Sequence, residues 1–167
     1  MPGGHRAGGA VTAPFAVMGV DPGVRGGVAV LDSVGTVLFV QGFNPKMLRD
    51  DLRDLMREAG RWLKSYNGGV AYLEKVGYMP GDGGMGAFTF GRAYGSLEQS
   101  ILAQDIKLYD VMPILWQASM ECMTGGNKNV SKRRALELFP ALPVTHNIAD
   151  ALLIAEFGRR RLASGRI

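Results

Sequence analysis

Short apolar runs separated by turn residues predict three strands at the start of the chain. The runs cover Phe15–Val20, Val28–Leu31 and Thr36–Val40, and Gly, Pro, Asp or Ser residues bound them. Valine-rich runs of this length are typical of buried strands. The connections between them are short, so we expect an antiparallel meander that begins with a hairpin.

The later pattern predicts helices alternating with two more strands. Apolar residues recur at helical spacing from about Pro45 to Ser65, and Asn44-Pro45 is a start signal for that helix. The other predicted elements are a strand over Val70–Val76, a helix over Ala87–Gln104, a strand over Ile106–Met112, a short helix over Trp116–Met123, a helix over Ser131–Phe139 with Ser131 as its N-cap, and a last helix from His146 or Asn147 to about Leu162.

This element order predicts an α/β fold with a five-stranded mixed sheet flanked by α-helices. Alternating strands and helices favour a parallel portion of sheet, and the meander adds antiparallel strands. A chain of 167 residues is expected to form one domain. We assign residues 14–167 to that domain and the glycine-rich residues 1–13 to a flexible arm.

Composition narrows the class of protein only partly. The net charge of +4 and the pI of about 9.4 are compatible with a nucleic-acid partner. The single cysteine, Cys122, excludes an internal disulfide framework and a cysteine-rich metal site. No apolar stretch reaches the length of a membrane span, so we expect no membrane partner.

Three acidic residues stand in apolar surroundings. Asp21 ends the first strand, Glu74 lies in the fourth, and Asp150 lies near the start of the last helix. Each has an ordinary explanation. Asp-Pro-Gly is a common turn, Glu74 can lie on an outward face, and negative charge is favourable near a helix N-terminus.

Together the three acids predict a metal site. If their elements are neighbours in the sheet, the carboxylates converge and repel one another, and a divalent cation relieves that repulsion. Oxygen ligands favour Mg²⁺ or Mn²⁺, and two such ions about 4 Å apart can clamp a phosphodiester during hydrolysis. His146 shares a helix face with Asp150, although a single histidine is more often an N-cap or a satisfied buried residue.

The order and spacing of these motifs resemble the RuvC group of Holliday-junction resolvases, in the RNase H-like superfamily. The matching segments are GVDPGVRGG, YLEKV, the stretch FTFGRAYG and the closing HNIADALLIAEFG, and the resemblance runs from Val17 to Gly158. It is greatest to the phage-type and plant chloroplast resolvases.

The resemblance implies an intracellular homodimer that binds a four-way DNA junction. Each subunit would nick one strand and leave 5′-phosphate and 3′-hydroxyl ends. Asp21, Glu74 and Asp150 would be catalytic ligands of two Mg²⁺ ions, with Mn²⁺ as a substitute. His146 would be a fourth ligand or a water-activating group. Many relatives carry an acid or histidine where this chain has Asn147, so the fourth ligand lies between His146 and Asn147, and we favour His146.

Basic and aromatic side chains are the predicted DNA contacts. Lysine and arginine bind phosphate without reading sequence, and an aromatic side chain of the Gly77–Gly86 segment can wedge between bases, although it can equally belong to the core. Arg159–Arg161 are equally well explained as partners of a helix dipole. The small residues Gly91–Gly95 are the candidate dimer surface. The predicted contacts are Lys75, Tyr78, Phe88, Arg92, Lys128, Lys132 and Arg133.

Three other functions are compatible with parts of this pattern. A less selective flap or branch nuclease of the same superfamily would carry the same acids. A non-catalytic junction-binding module would have no need of them. An ATP-binding protein of the actin or sugar-kinase type needs a second, duplicated half, for which this chain is too short. We therefore expect no nucleotide cofactor.

Overall fold

The structure, a computed structural model, describes residues 14–47, 49–77 and 83–166. The predicted arm and the predicted contact Tyr78 lie outside these ranges. The elements are β1 Ala16–Asp21, β2 Gly27–Asp32, β3 Val37–Gly42, α1 Arg49–Lys64, β4 Val70–Glu74, α2 Gly84–Leu102, β5 Lys107–Val111, α3 Pro113–Ser119, α4 Lys128–Leu138 and α5 His146–Ala163. Among the described helices, none is both long and apolar enough to cross a bilayer.

The five strands form one mixed sheet in the order β3-β2-β1-β4-β5. The first three strands are antiparallel neighbours, while β4 runs parallel to β1 and β5 runs parallel to β4. The predicted meander and the predicted parallel half are both confirmed. Because β1 and β4 are adjacent and parallel, their carboxyl ends lie at the same edge of the sheet.

Helices cover both faces of the sheet, and each face has its own core. On one face, Val17 of β1 and Ala29 and Leu31 of β2 pack with apolar residues of α3, α4 and α5. The alternate residues, such as Met18, pack with α1 and α2. The side-chain period of two in the strands therefore divides the apolar residues between two layers.

Helix α5 lies directly on β1 because two glycines leave room for it. A side chain at Gly19 would collide with the α5 backbone at Ala151 and Ala155, and one at Gly158 would collide with Tyr72 and Val17. This close contact places the N-terminal turns of α5 over the end of β1. It brings Asp150 to the edge of the sheet where Asp21 lies.

Two predicted helix starts are wrong for the same physical reason. The predicted N-cap Ser131 is buried inside α4, which begins at Lys128, and Asn127 is the cap because its side chain accepts a hydrogen bond from the Asn129 amide at 3.0 Å. Asn44 likewise accepts from the Lys46 amide at 2.9 Å. That contact makes Asn44-Pro45 a separate turn, four residues before the first residue of α1.

Pro113 starts α3, although its place in the sequence suggested only the end of a strand. Proline is favoured at the first helical position, where its missing amide hydrogen has no acceptor to lose. The helix therefore covers Pro113–Ser119 instead of Trp116–Met123. Helix α2 begins at Gly84, three residues before its predicted start at Ala87.

Candidate active site

Asp21 is the last residue of β1, and its side chain is only 7% exposed. The Gly23 amide donates a hydrogen bond to Oδ1 at 3.0 Å. A side chain at Gly26 would collide with Asp21, so the glycines allow the turn to fold tightly around the carboxylate. Burial raises the pKa of Asp21 above its ordinary value, and the hydrogen bond from Gly23 opposes that change.

Glu74 is the last residue of β4, not a mid-strand residue as the sequence suggested. Val20 is paired with Leu73 in the parallel register. Asp21 and Glu74 are the next residues of these two strands, so both lie at adjacent strand ends. The indole Nε1 of Trp116 donates a hydrogen bond to Glu74 Oε1 at 2.9 Å. Burial and then the charge of Asp21 raise the pKa of Glu74 to about 7, against the effect of Trp116.

Asp150 lies in the second turn of α5. Its Oδ1 is buried and has no hydrogen-bond partner within the described residues. Burial raises the pKa of this carboxyl group, and the Ser131 hydroxyl is the first of the groups that oppose the rise. A buried carboxylate oxygen without a donor is costly unless something positive binds it.

The three carboxylates lie close enough to affect one another electrostatically. The charge of Asp150 raises the pKa of both Asp21 and Glu74, and Asp21 raises that of Glu74. The positive charge of Lys128 lowers the pKa of all three acids. The fold therefore brings together the acids that the sequence singled out on three separate elements.

The two candidates for a fourth ligand lie in different places. The ring Nε2 of His146 is 2.9 Å from Asn129 Oδ1, and the electrostatic effect of the nearby His146 lowers the pKa of Asp150. The Asn147 amide instead donates to the carbonyl of Phe43 at 3.3 Å, on the β2–β3 side of the helix. That contact occupies the Asn147 side chain and favours His146.

The donor chemistry at this edge fits a hard divalent cation. The side chains offer carboxylate oxygens, one of them unpartnered, and burial makes their mutual repulsion costly. In the described ranges, however, no three His, Cys, Asp or Glu side chains are grouped tightly enough to form a finished metal cluster. The site is therefore a set of potential ligands that has the right chemistry and lies at one edge of the sheet.

The predicted DNA contacts are divided between two regions. Lys128, Lys132 and Arg133 lie on the first two turns of α4, and Lys128 is close enough to the acids to lower their pKa. Arg92 lies over the ring of Phe88 on α2, 5.6 Å from its centre. Lys75 follows β4 and forms an exposed pair with Asp110 at 3.9 Å. The Phe88 ring is not part of the core, because the residue is 61% exposed.

Sequence reasoning did not single out Trp116 or Asn129 as parts of the site. Trp116 is fully buried, and its indole reaches across 42 residues of sequence to Glu74. Asn129 lies in the first turn of α4 and reaches His146 on α5. Neither contact has a local sequence signal, since both depend on how the helices pack on the sheet.

Comparisons with known proteins identify the fold. No protein-family model and no curated protein sequence matches the chain. Among solved structures, Thermus thermophilus RuvC in complex with a Holliday junction substrate has a TM-score of 0.63 at 17% identity, over 90% of this chain and 96% of that one. Another Thermus thermophilus RuvC structure has a TM-score of 0.60 at 16% identity, over 90% and 97%. The chain therefore has the fold of RuvC, the RNase H-like fold that its sequence resembles.

Proposed function

We propose that the protein is a metal-dependent endonuclease that resolves four-way DNA junctions by paired symmetric nicks. The observation that carries the proposal is the electrostatic coupling of Asp21, Glu74 and Asp150 at one edge of the sheet. A binding module has no use for one buried and two half-buried acids in which Asp150 raises the pKa of both others and Asp21 raises that of Glu74. A RuvC structure with a bound junction has the same fold, which supports the substrate class.

In this proposal the three acids share the task of holding the metal ions, and Trp116 and Lys128 assist them. Asp21, Glu74 and Asp150 would hold two Mg²⁺ ions, whose positive charge would stabilise the attacking and leaving oxygens of a phosphodiester. Mn²⁺ would substitute for Mg²⁺. Trp116 fixes the orientation of the Glu74 carboxylate through its hydrogen bond. Lys128 offers positive charge beside the acids, where a phosphate would lie.

In this proposal His146 would accept the proton of the attacking water, and its contact with Asn129 supports that role. Asn129 Oδ1 can only accept a hydrogen bond, so the proton of the neutral ring lies on Nε2. The other nitrogen, Nδ1, is then free to accept a proton or to bind a cation. The products would carry 5′-phosphate and 3′-hydroxyl ends, and the protein would act with DNA inside the cell.

A homodimer would place two such sites on one junction, and α2 is the surface we propose for it. Side chains built at Gly91 and Gly95 would meet nothing within 4 Å. Met85 and Phe88 on the same helix are 78% and 61% exposed. Small residues together with exposed apolar ones suit close helix packing against a second copy.

The test compares a labelled four-way junction with a linear duplex of the same sequence in Mg²⁺. We expect paired symmetric nicks in the junction alone. Asp21→Asn and Asp150→Asn should lower the cleavage rate by more than about 100-fold, since changes even outside the ligand set often cost that much. Both variants should still bind the junction. Asp54→Asn, on the surface of α1, is the matched control and should cleave normally.

Other outcomes would assign a different function. Equal cleavage of flaps and junctions would favour the less selective branch nuclease, with the same carboxylate site. Junction binding without cleavage in Mg²⁺ or Mn²⁺ would favour the binding module. Full-rate cleavage by Asp21→Asn would refute the assignment of the metal ligands.

A further inference from the structure

A pocket lies between α3 and the C-terminal part of α5, away from Asp21, Glu74 and Asp150. It has a volume of about 270 Å³. At 1.5 Å per residue, the arginines of α5 lie about 15 Å along the helix from Asp150. The pocket is lined by Leu115, Ser119, Phe157, Arg160, Arg161, Ser164 and Arg166.

The described residues neutralise only part of the positive charge at this pocket. The single carboxylate of Glu156 pairs with two arginines, because Arg159 and Arg160 both donate hydrogen bonds to it, at 2.6 and 2.7 Å. Arg161 and Arg166 have no carboxylate within ion-pair distance in the part of the chain that the structure describes. The guanidinium of Arg161 lies instead 5.5 Å from the centre of the Phe157 ring.

Exposed apolar side chains lie beside this charge. Leu115 lines the pocket and is 55% exposed, and its neighbours Ile114 and Met112 are 56% and 53% exposed. Adjacent apolar residues that are each more than half exposed mark a binding surface more often than an ordinary one. Arginine, methionine and aromatic residues are also enriched at protein interfaces.

We propose that this pocket binds an acidic peptide segment of a partner protein, with an apolar side chain next to its carboxylates. The guanidinium groups match carboxylates in a two-pronged geometry, and the Ser119 and Ser164 hydroxyls add donors. Leu115 and Phe157 receive the apolar side chain. A DNA backbone fits less well, because exposed apolar residues beside the arginines would face phosphates. This inference does not depend on nuclease activity.

The probe is a fluorescein-labelled peptide of four aspartates followed by leucine and phenylalanine, and the readout is fluorescence anisotropy. A peptide with asparagine in place of aspartate is the probe control. We expect saturable binding of the acidic peptide only. Arg161→Glu and Arg166→Glu should each weaken binding by about tenfold or more. Leu115→Ser should weaken it as well, through the lost apolar contact.

Arg57→Glu is the matched control, with the same charge change on an exposed position of α1, and it should bind the peptide normally. Arg166 lies three residues beyond Ala163, the last residue of α5, so its replacement leaves the helix intact even if Arg161→Glu lowers stability. Equal binding by wild type and Arg166→Glu would overturn the proposal, as would no binding by wild type. Two results together would instead assign the pocket to nucleic-acid phosphate: a short DNA duplex displaces the peptide fully, and the duplex affinity is lost in Arg166→Glu but kept in Arg57→Glu.

Discussion

Glu74 lies where burial and neighbouring negative charge both oppose its ionisation. Its pKa is raised from 4.5 to about 7, while in the unfolded chain it returns to its ordinary value. Between these two values the folded protein binds a proton that the unfolded chain has released. Stability must therefore fall as the pH rises from 4.5 to 7, and the loss is complete above pH 7.

Glu74→Gln should remove this part of the pH dependence, because glutamine has no charge to bury and can still accept the Trp116 hydrogen bond. In EDTA, we expect the variant to gain about 1–3 kcal/mol in free energy of unfolding relative to wild type between pH 4.5 and pH 8, once solvent screening is allowed for. Urea titrations at the two pH values measure the change. Glu58→Gln, on the surface of α1, is the control and should retain the wild-type slope. Equal slopes in wild type and Glu74→Gln would show that Glu74 is not held in this environment.

At the scale of elements, the contact between α5 and β1 positions the site. Gly19→Ala would push its Cβ into the α5 backbone, where the Ala155 Cα would be only 2.9 Å away. Overpacking against backbone cannot be relieved by a rotamer change, so we expect a loss of about 1–3 kcal/mol in free energy of unfolding. Cleavage should fall as well, since Asp150 moves with α5.

Gly86→Ala is the control for that substitution, because a side chain at Gly86 meets nothing within 4 Å. Alanine favours a helix over glycine, so this variant should be at least as stable as wild type. Urea unfolding of both variants gives the comparison. Wild-type stability in Gly19→Ala would mean that α5 does not pack as closely on β1 as the structure has it.

The elements themselves could be predicted from sequence, but contacts between them could not. The short apolar run Phe15–Val20 and the helical spacing after Pro45 are local signals, and both elements exist. The start of α4 was misplaced because Ser131 has the residue type of a cap, while its burial depends on α5. The hydrogen bond from Trp116 to Glu74 was missed because it joins residues 42 apart in sequence.

At the scale of the whole molecule, the fold is shared with RuvC at only 16–17% identity. Such a likeness is carried by element order and by which faces are apolar, since different apolar residues can fill the same core. The three acids could be singled out in the sequence because each interrupts an apolar element. The charged surface around them has no such contrast, and its DNA contacts remain predictions.

The basic face of α4 makes the proposed DNA binding depend on salt in a measurable way. Lys132 is half-buried one turn beyond Lys128 and has no carboxylate partner among the described residues. If Lys132 binds a phosphate, the Lys132→Ala variant should release about one counterion fewer than wild type when it binds the junction. The slope of log affinity against log salt concentration should then be reduced by about one. Junction affinities measured over a range of salt concentrations give that slope.

Lys64→Ala, at the exposed end of α1, is the matched control for charge and should leave the salt slope unchanged. The loss in Lys132→Ala should be the same for junctions of different sequence, because a phosphate contact reads no base. A slope equal to that of wild type would remove Lys132 from the DNA interface. A loss that varied with junction sequence would instead place Lys132 against a base edge, so that α4 would select the site as well as bind the backbone.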